Sequence, residues 1–339
     1  MSFKEAVRAK VNIYFYCYDL NIPSGGIRVL YKHVDILNKN GFSAFILHQN
    51  PGFRCTWFEN LSPVANAVET RIMPNDYLVI PEEIFAKISK LARGTQKIVF
   101  NQNCYYTFSN GYSLDKTEKI ISYQDKEVIA TLVVSDDSNR YLSYAFPGLK
   151  VVKIHNSIDP HLFFFNENKK PLISFMPRKH MEDALQVINI LKYRDAFGDF
   201  EIMPIADKTE TEVAQILRES LIFLSFGYPE GFSLPPAEAM ACGCVVIGYH
   251  GMGGQEFFKP EFSYPVTNGD IITFAQTIEK VIALYKSDKN ILTEKGKSAS
   301  QYILKNYSPE QQEKDIIQFW KHITENHNIA GNSDESWKR

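Results

Sequence analysis

An α/β protein built from two doubly wound parallel-sheet domains is what this 339-residue sequence predicts, on three observations. Short apolar, β-branched runs alternate with helical patterns from end to end, as parallel strands and their crossover helices require. The alternation falls into two series separated by a polar, proline-containing segment. The length suits two domains of ordinary size.

The first series opens with a strand over 11–17, then a loop over 18–25 and a helix over 26–40. In that helix Ile27, Leu30, Tyr31, Val34 and Leu37 recur with helical period, and Gly41 ends it. A strand over 42–47 follows, and buried strands are expected at 77–80, 97–100, 131–134 and 151–154. Residues 51–74 carry no periodic pattern and receive no element. The stretch 161–171 (HLFFFNENKKP) has a polar, Lys/Asn-rich tail and a proline, and is the linker candidate. The second series has strands at 172–175, 200–204, 221–225, 245–248 and 262–266, with a helix over 181–192. Helices over 271–285, 291–307 and 310–324 end the ordered chain, and 326–339 is expected to be a disordered tail. Two such sheets facing each other form a cleft, with ligands at the carboxyl ends of the strands.

Bulk composition narrows the function. Apolar residues make up 45% and charged residues 22%, as in a globular protein with a sizeable core. The net charge of −2 and the lack of a basic run argue against a nucleic-acid partner. Cys17, Cys55, Cys104, Cys242 and Cys244 are odd in number and lack C-x-x-C spacing, which argues for a reducing compartment and against structural zinc. The first ten residues have no apolar signal region, and no run approaches the ~18 apolar residues of a spanning helix. The expected location is cytoplasmic, with peripheral attachment at the cytoplasmic face of a membrane left open.

The most constrained stretch is 230–243, EGFSLPPAEAMACG. It follows a strand and leads through Pro235-Pro236 into a helix ended by Gly243, so Glu230 lies in the loop and Glu238 in the first helical turns. The amides of Gly231, Phe232, Ser233 and Leu234 are expected to face a ligand, where a helix N-terminus favours phosphate. Carboxylates beside an anion site suit sugar hydroxyls. Phosphate together with hydroxyls suggests a sugar nucleotide.

Weaker constellations accompany it. Gly25-Gly26, in the loop after the first strand, either lets a phosphate approach or makes a tight turn. Arg178-Lys179, after the first strand of the second series, could neutralise a pyrophosphate or be a solvated basic loop. The glycine-rich segment 249–256 carries His250, which by itself is more often structural than catalytic. Gln102 and Asn103 could bind sugar or acceptor hydroxyls, although capping the next segment is the safer expectation. Residues 155–159 read as a turn. No serine elbow, H-E-x-x-H or Asp-x-Asp metal pair occurs, so hydrolytic and metal-dependent chemistry lose weight.

In this order, Gly25-Gly26, 155–159, Arg178-Lys179, 230–243 and 253–256 resemble a GT-B glycosyltransferase of retaining family 4, the glycosyl transferases group 1. The resemblance spans nearly the whole chain. It implies two Rossmann-like domains, an acceptor-side one at 1–165 and a donor-binding one at 166–308, with a helix at 309–325 crossing back to the first. It implies sugar transfer with retention from a nucleoside diphosphate sugar to a glycan, lipid-linked or small-molecule acceptor, with no metal and no cofactor beyond the donor. Glu238 would bind the ribose and Glu230 would lie near the donor sugar. Arg178 and a lysine would hold the diphosphate, Gly25 and Gly26 would assist, and the 232–234 amides would touch phosphate or sugar. Two departures stand out: the family lysine falls at Asp183, leaving Lys179 as substitute, and Asn103 stands where a histidine is usual. A catalytically impaired sugar-nucleotide binder and an epimerase of the same fold are the alternatives.

Overall fold

The computed structural model describes residues 11–108 and 122–334. The N-terminal half contains β1 (Asn12–Tyr16), α1 (Gly25–Lys39), β2 (Ser43–His48), β3 (Val64–Asn66), β4 (Tyr77–Pro81), β5 (Gln96–Asn101), β6 (Val128–Val133), α2 (Asp136–Ala145) and β7 (Val151–Lys153). Its seven strands are all parallel, in the order β3-β2-β1-β4-β5-β6-β7. Every residue of β4 is buried, as in a central strand covered on both faces.

The C-terminal half contains β8 (Lys170–Phe175), α3 (Met181–Tyr193), β9 (Glu201–Pro204), α4 (Glu210–Glu219), β10 (Ser220–Ser225), α5 (Leu234–Ala241), β11 (Val245–Gly248), β12 (Ser263–Pro265), α6 (Ile271–Ser287) and α7 (Lys289–Asn306). Its sheet is again all parallel, in the order β12-β11-β10-β8-β9. Strand order reverses between β1 and β4 in one sheet and between β8 and β10 in the other. Crevices open at such switch points, and the segments carrying Gly25, Arg178 and Glu230 all start there.

The last helix, α8 (Pro309–Asp334), crosses back onto the N-terminal half. Trp320 is fully buried, 6.2 Å from the Phe15 ring on β1 and 5.6 Å from Tyr77 on β4. His155 and Asp315 pair at 2.6 Å, and Asp315 also accepts the His155 amide, so the expected turn at 155–159 is an anchor for α8 as well.

Several elements depart from expectation. The three-residue edge strand β3 and helices α2 and α4 were not foreseen. Only Ser138 and Leu142 of α2, and Ala214 and Leu217 of α4, are buried, stripes too narrow for a periodic signal. Yet α4 announced itself in another way, through the Thr209–Glu212 capping box. The linker candidate 161–171 is less free than its polarity suggested. Lys170 opens β8, Phe163 is buried, and the Phe165 ring lies so close to Gly243 that a Cβ there would meet it at 2.5 Å. Helix α8 is assigned through Asp334. Residues 335–339, like 1–10, lie outside the described residues.

Candidate active site

β10 delivers the chain into a loop that α5 ends. Ser233 precedes that helix in the left-handed conformation (φ 70°, ψ 66°), which turns the preceding amides away from the helix axis. Pro235 and Pro236 have no N–H, and the amides of Gly231, Phe232, Ser233 and Leu234 donate to no described residue. Donors left without partners beside a helix N-terminus are of the kind that can bind an anion. Among the described non-glycine residues, His180, Ser233 and Met252 also have positive φ and gather at this cleft, a concentration of backbone strain typical of functional sites.

The glycine-rich segment 249–256 packs against the Glu230 loop. The Glu230 amide donates to Gly251 O at 2.7 Å, and the Gly253 amide to Glu230 O at 3.0 Å. A Cβ on Gly253 would meet Gly231 O at 1.9 Å, and one on Gly251 would meet Ser233 Oγ at 2.3 Å. These glycines let two loops lie backbone to backbone. His250 Nδ1 accepts the Met252 amide at 3.0 Å, which assigns the ring proton of the neutral imidazole to Nε2; burial pulls its pKa down, opposed by the charge of Asp137.

The opposite wall is the N-terminal half. Gly25 opens α1 directly opposite α5, where a Cβ would meet Leu234 Cδ1 at 2.9 Å. Gln102 Nε2 donates to Gly26 O at 3.1 Å. Asn103 caps a short turn by accepting the Tyr105 amide at 3.2 Å, and donates to Pro229 O at 3.3 Å. Its side-chain oxygen thus caps the turn, as expected, while its side-chain nitrogen joins the two halves. The seam is tight: a Cβ on Gly231 would meet Gln102 O at 1.8 Å.

Charges pair across or beside this seam. Arg178 is exposed and reaches Pro23 O at 3.3 Å, next to the Gly25 turn. Lys179 and Glu230 form an ion pair at 2.5 Å. Asp183 points elsewhere, accepting the Tyr249 hydroxyl at 2.8 Å. The Nε2–H of His180 donates to Tyr228 O.

Three participants escaped the sequence reading. Arg28 bridges Glu238, at 2.7 Å, and Glu210, so the residue expected to bind ribose meets a guanidinium from the other half. Arg28 was visible in the Gly25-Gly26 segment, but nothing in the sequence says which carboxylate it meets. Glu210 belonged to a helix that was not foreseen. Glu82, buried after β4, accepts the amides of Gln102 at 3.1 Å and Asn103 at 2.8 Å. Burial, with Glu83 beside it, pushes its carboxyl well above the ordinary range. A conventional loop carboxylate gives no such signal in sequence.

A cleft between two parallel sheets, with an anion cradle and flanking carboxylates, can hold a phosphorylated sugar. The family model of the glycosyl transferases group 1 matches residues 204–298, the stretch that includes the Glu230 loop and α5. In fold the chain is a GT-B protein of two parallel-sheet domains. Its sequence is similar to an alpha-1,6-glucosyltransferase of Actinobacillus pleuropneumoniae, 25% identical over 296 residues, covering 80% of this chain and 83% of that protein. In fold it is similar to sucrose-phosphate synthase from Thermosynechococcus elongatus, with a TM-score of 0.71 at 12% identity over 92% of this chain and 99% of the other. It is also similar to Anabaena HepE in complex with UDP-glucose, with a TM-score of 0.63 at 10% identity over 92% of this chain and 100% of the other. Among the described residues, no helix of this chain is long and apolar enough to cross a membrane.

Proposed function

We propose that this protein transfers a sugar from a nucleoside diphosphate sugar to a glycan, lipid-linked or small-molecule acceptor, with retention at the anomeric carbon and without a metal. One observation carries the reading: the amides of Gly231, Phe232, Ser233 and Leu234 donate to no described residue, Glu230 and Glu238 sit on the same loop and helix, and Leu234 packs opposite Gly25 of the other half. In the proposed complex the amides and Arg178 hold the diphosphate, with Lys179 as a second cation. Glu238 accepts the ribose hydroxyls, Glu230 the hydroxyls of the donor sugar, and the Nε2–H of His250 donates to the sugar or acceptor. Charge stabilisation at the leaving diphosphate would then drive the reaction, with the acceptor proton passing to a leaving phosphate oxygen. The name of the Actinobacillus relative makes a glucosyl donor the first to test, and the UDP-glucose bound to HepE makes uridine the first base.

Thermal-shift measurements with UDP, GDP, ADP and dTDP sugars should select one donor, since a bound ligand raises apparent stability. Transfer or slow donor hydrolysis should follow. Affinity without any turnover would establish the impaired-binder reading, for which the Asp183–Tyr249 bond at the family's lysine position is the supporting observation. A sugar isomer made without acceptor would establish an epimerase. Glu238→Ala should weaken nucleotide binding, and unchanged affinity would sink the ribose assignment.

A further inference from the structure

Glu238 is 7% exposed at its side chain, yet its ionic partner comes from the other half of the molecule. Arg28 Nη2 holds Oε1 at 2.7 Å, while Arg28 Nη1 holds Glu210. Oε2 of Glu238 has no hydrogen bond to any described residue. One guanidinium thus fixes the carboxylate through one oxygen and leaves the second oxygen for a ligand. It also offsets two negative charges beside a cradle built for an anion, where bare carboxylates would repel a diphosphate. Only arginine has a planar fork that can serve two carboxylates together. Arg28 lies three residues after Gly25, in the first turn of α1.

We infer that Arg28 is a positioning residue for donor recognition: it orients Glu238 toward the ribose hydroxyls, so that ribose recognition requires both halves of the molecule. The inference rests on the transferase reading and deepens it. A merely structural clasp would alter overall affinity, whereas an orienting role alters discrimination between ribose and deoxyribose.

The test is calorimetric titration of the full chain with UDP, GDP and ADP and their 2′-deoxy forms. The parent protein should favour the ribose form of its nucleotide by about tenfold, the scale of one hydrogen bond to a charged group. Arg28→Gln should bring that ratio close to one, and Glu210→Gln should leave it nearly unchanged. Should Arg28→Gln fold poorly, Arg28→Lys decides instead, with a ratio reduced at least threefold expected from a single point charge. A ratio within twofold of the parent's in the folded Arg28 variant overturns the inference alone. A parent that binds nucleotide without preferring ribose overturns it together with the ribose assignment. A parent that binds only dTDP, added as a fourth titrant, likewise overturns it with the ribose assignment, and one that binds none of the four overturns the transferase reading itself.

Discussion

Most of the C-terminal wall of the cleft comes from one contiguous region, β10 through the 253–256 turn, with Arg178-Lys179 added from the end of β8, whereas the N-terminal wall collects pieces from three separate strand ends. Gly25 to Arg28 follow β1, Glu82 follows β4, and Gln102-Asn103 follow β5. The C-terminal wall presents open amides and carboxylates. The N-terminal wall presents a guanidinium, glycines and side-chain amides already engaged in bonds. Local sequence can specify the first kind of wall, because its donors and acceptors are set by a loop and a helix start. The second kind exists only once parallel pairing has brought β1, β4 and β5 side by side.

The largest test of this contrast falls on the cations. Arg178→Ala should lower kcat by about 10²–10³-fold, the usual loss when one stabilising donor to developing charge is removed. Stability should hardly change, since Arg178 is exposed and bonds only one carbonyl. A KM effect with unchanged kcat would instead place Arg178 in ground-state binding.

Next is the seam itself. Gly231→Ala drives a methyl into backbone at Gln102, which cannot rotate away as a side chain can. A loss of about 1–3 kcal/mol in a denaturant titration is expected from such overpacking, together with weaker nucleotide binding as the walls part. Parental stability and binding would show that the seam yields.

Acid should separate the walls in another way. His33 on α1 is fully buried, and neither ring nitrogen has a partner among the described residues. Burial, with Lys32 adjacent, depresses its pKa to about 3 from the ordinary 6.5. The unfolded chain therefore binds a proton that the folded one refuses. Stability is fully present above pH 6.5 and should fall as pH drops from there toward 3, by up to ~1.4 kcal/mol per unit. His33→Leu should flatten that acid limb in Tm against pH. An unchanged limb would assign acid sensitivity to other groups.

The smallest effect is expected at Gly26→Ala. Its methyl would meet only the mobile Gln102 side chain, at 3.4 Å, and helix propensity favours alanine. A change within about 0.5 kcal/mol is expected. A loss as large as that of Gly231→Ala would show that both walls are equally rigid, and the contrast would fail.

Legibility in the sequence followed the same division. The helix of 26–40 and the strands of both series were readable because burial on one or both faces leaves a period or an apolar run. Helices α2 and α4 were not, since each buries only two residues. Gly25, Gly26, Arg178, Lys179, Glu230, Glu238 and the 231–234 amides all come together at the cleft. The glycines of 251–254 also lie there, but their freedom is used for packing loop against loop.

By itself the sequence determined the alternation of strands and helices, the proline-led start of α5 and the presence of two carboxylates beside an anion cradle. Each depends on neighbours within a few residues, where backbone geometry and propensity act. Only the tertiary structure decided that Arg28 meets Glu238 and Glu210, that Glu82 holds the Gln102-Asn103 backbone, and that Asn103 closes onto Pro229. Those pairings join residues far apart in the chain. The energy of a charge or an amide depends on which partner burial supplies, and burial is settled only when the two halves close on each other.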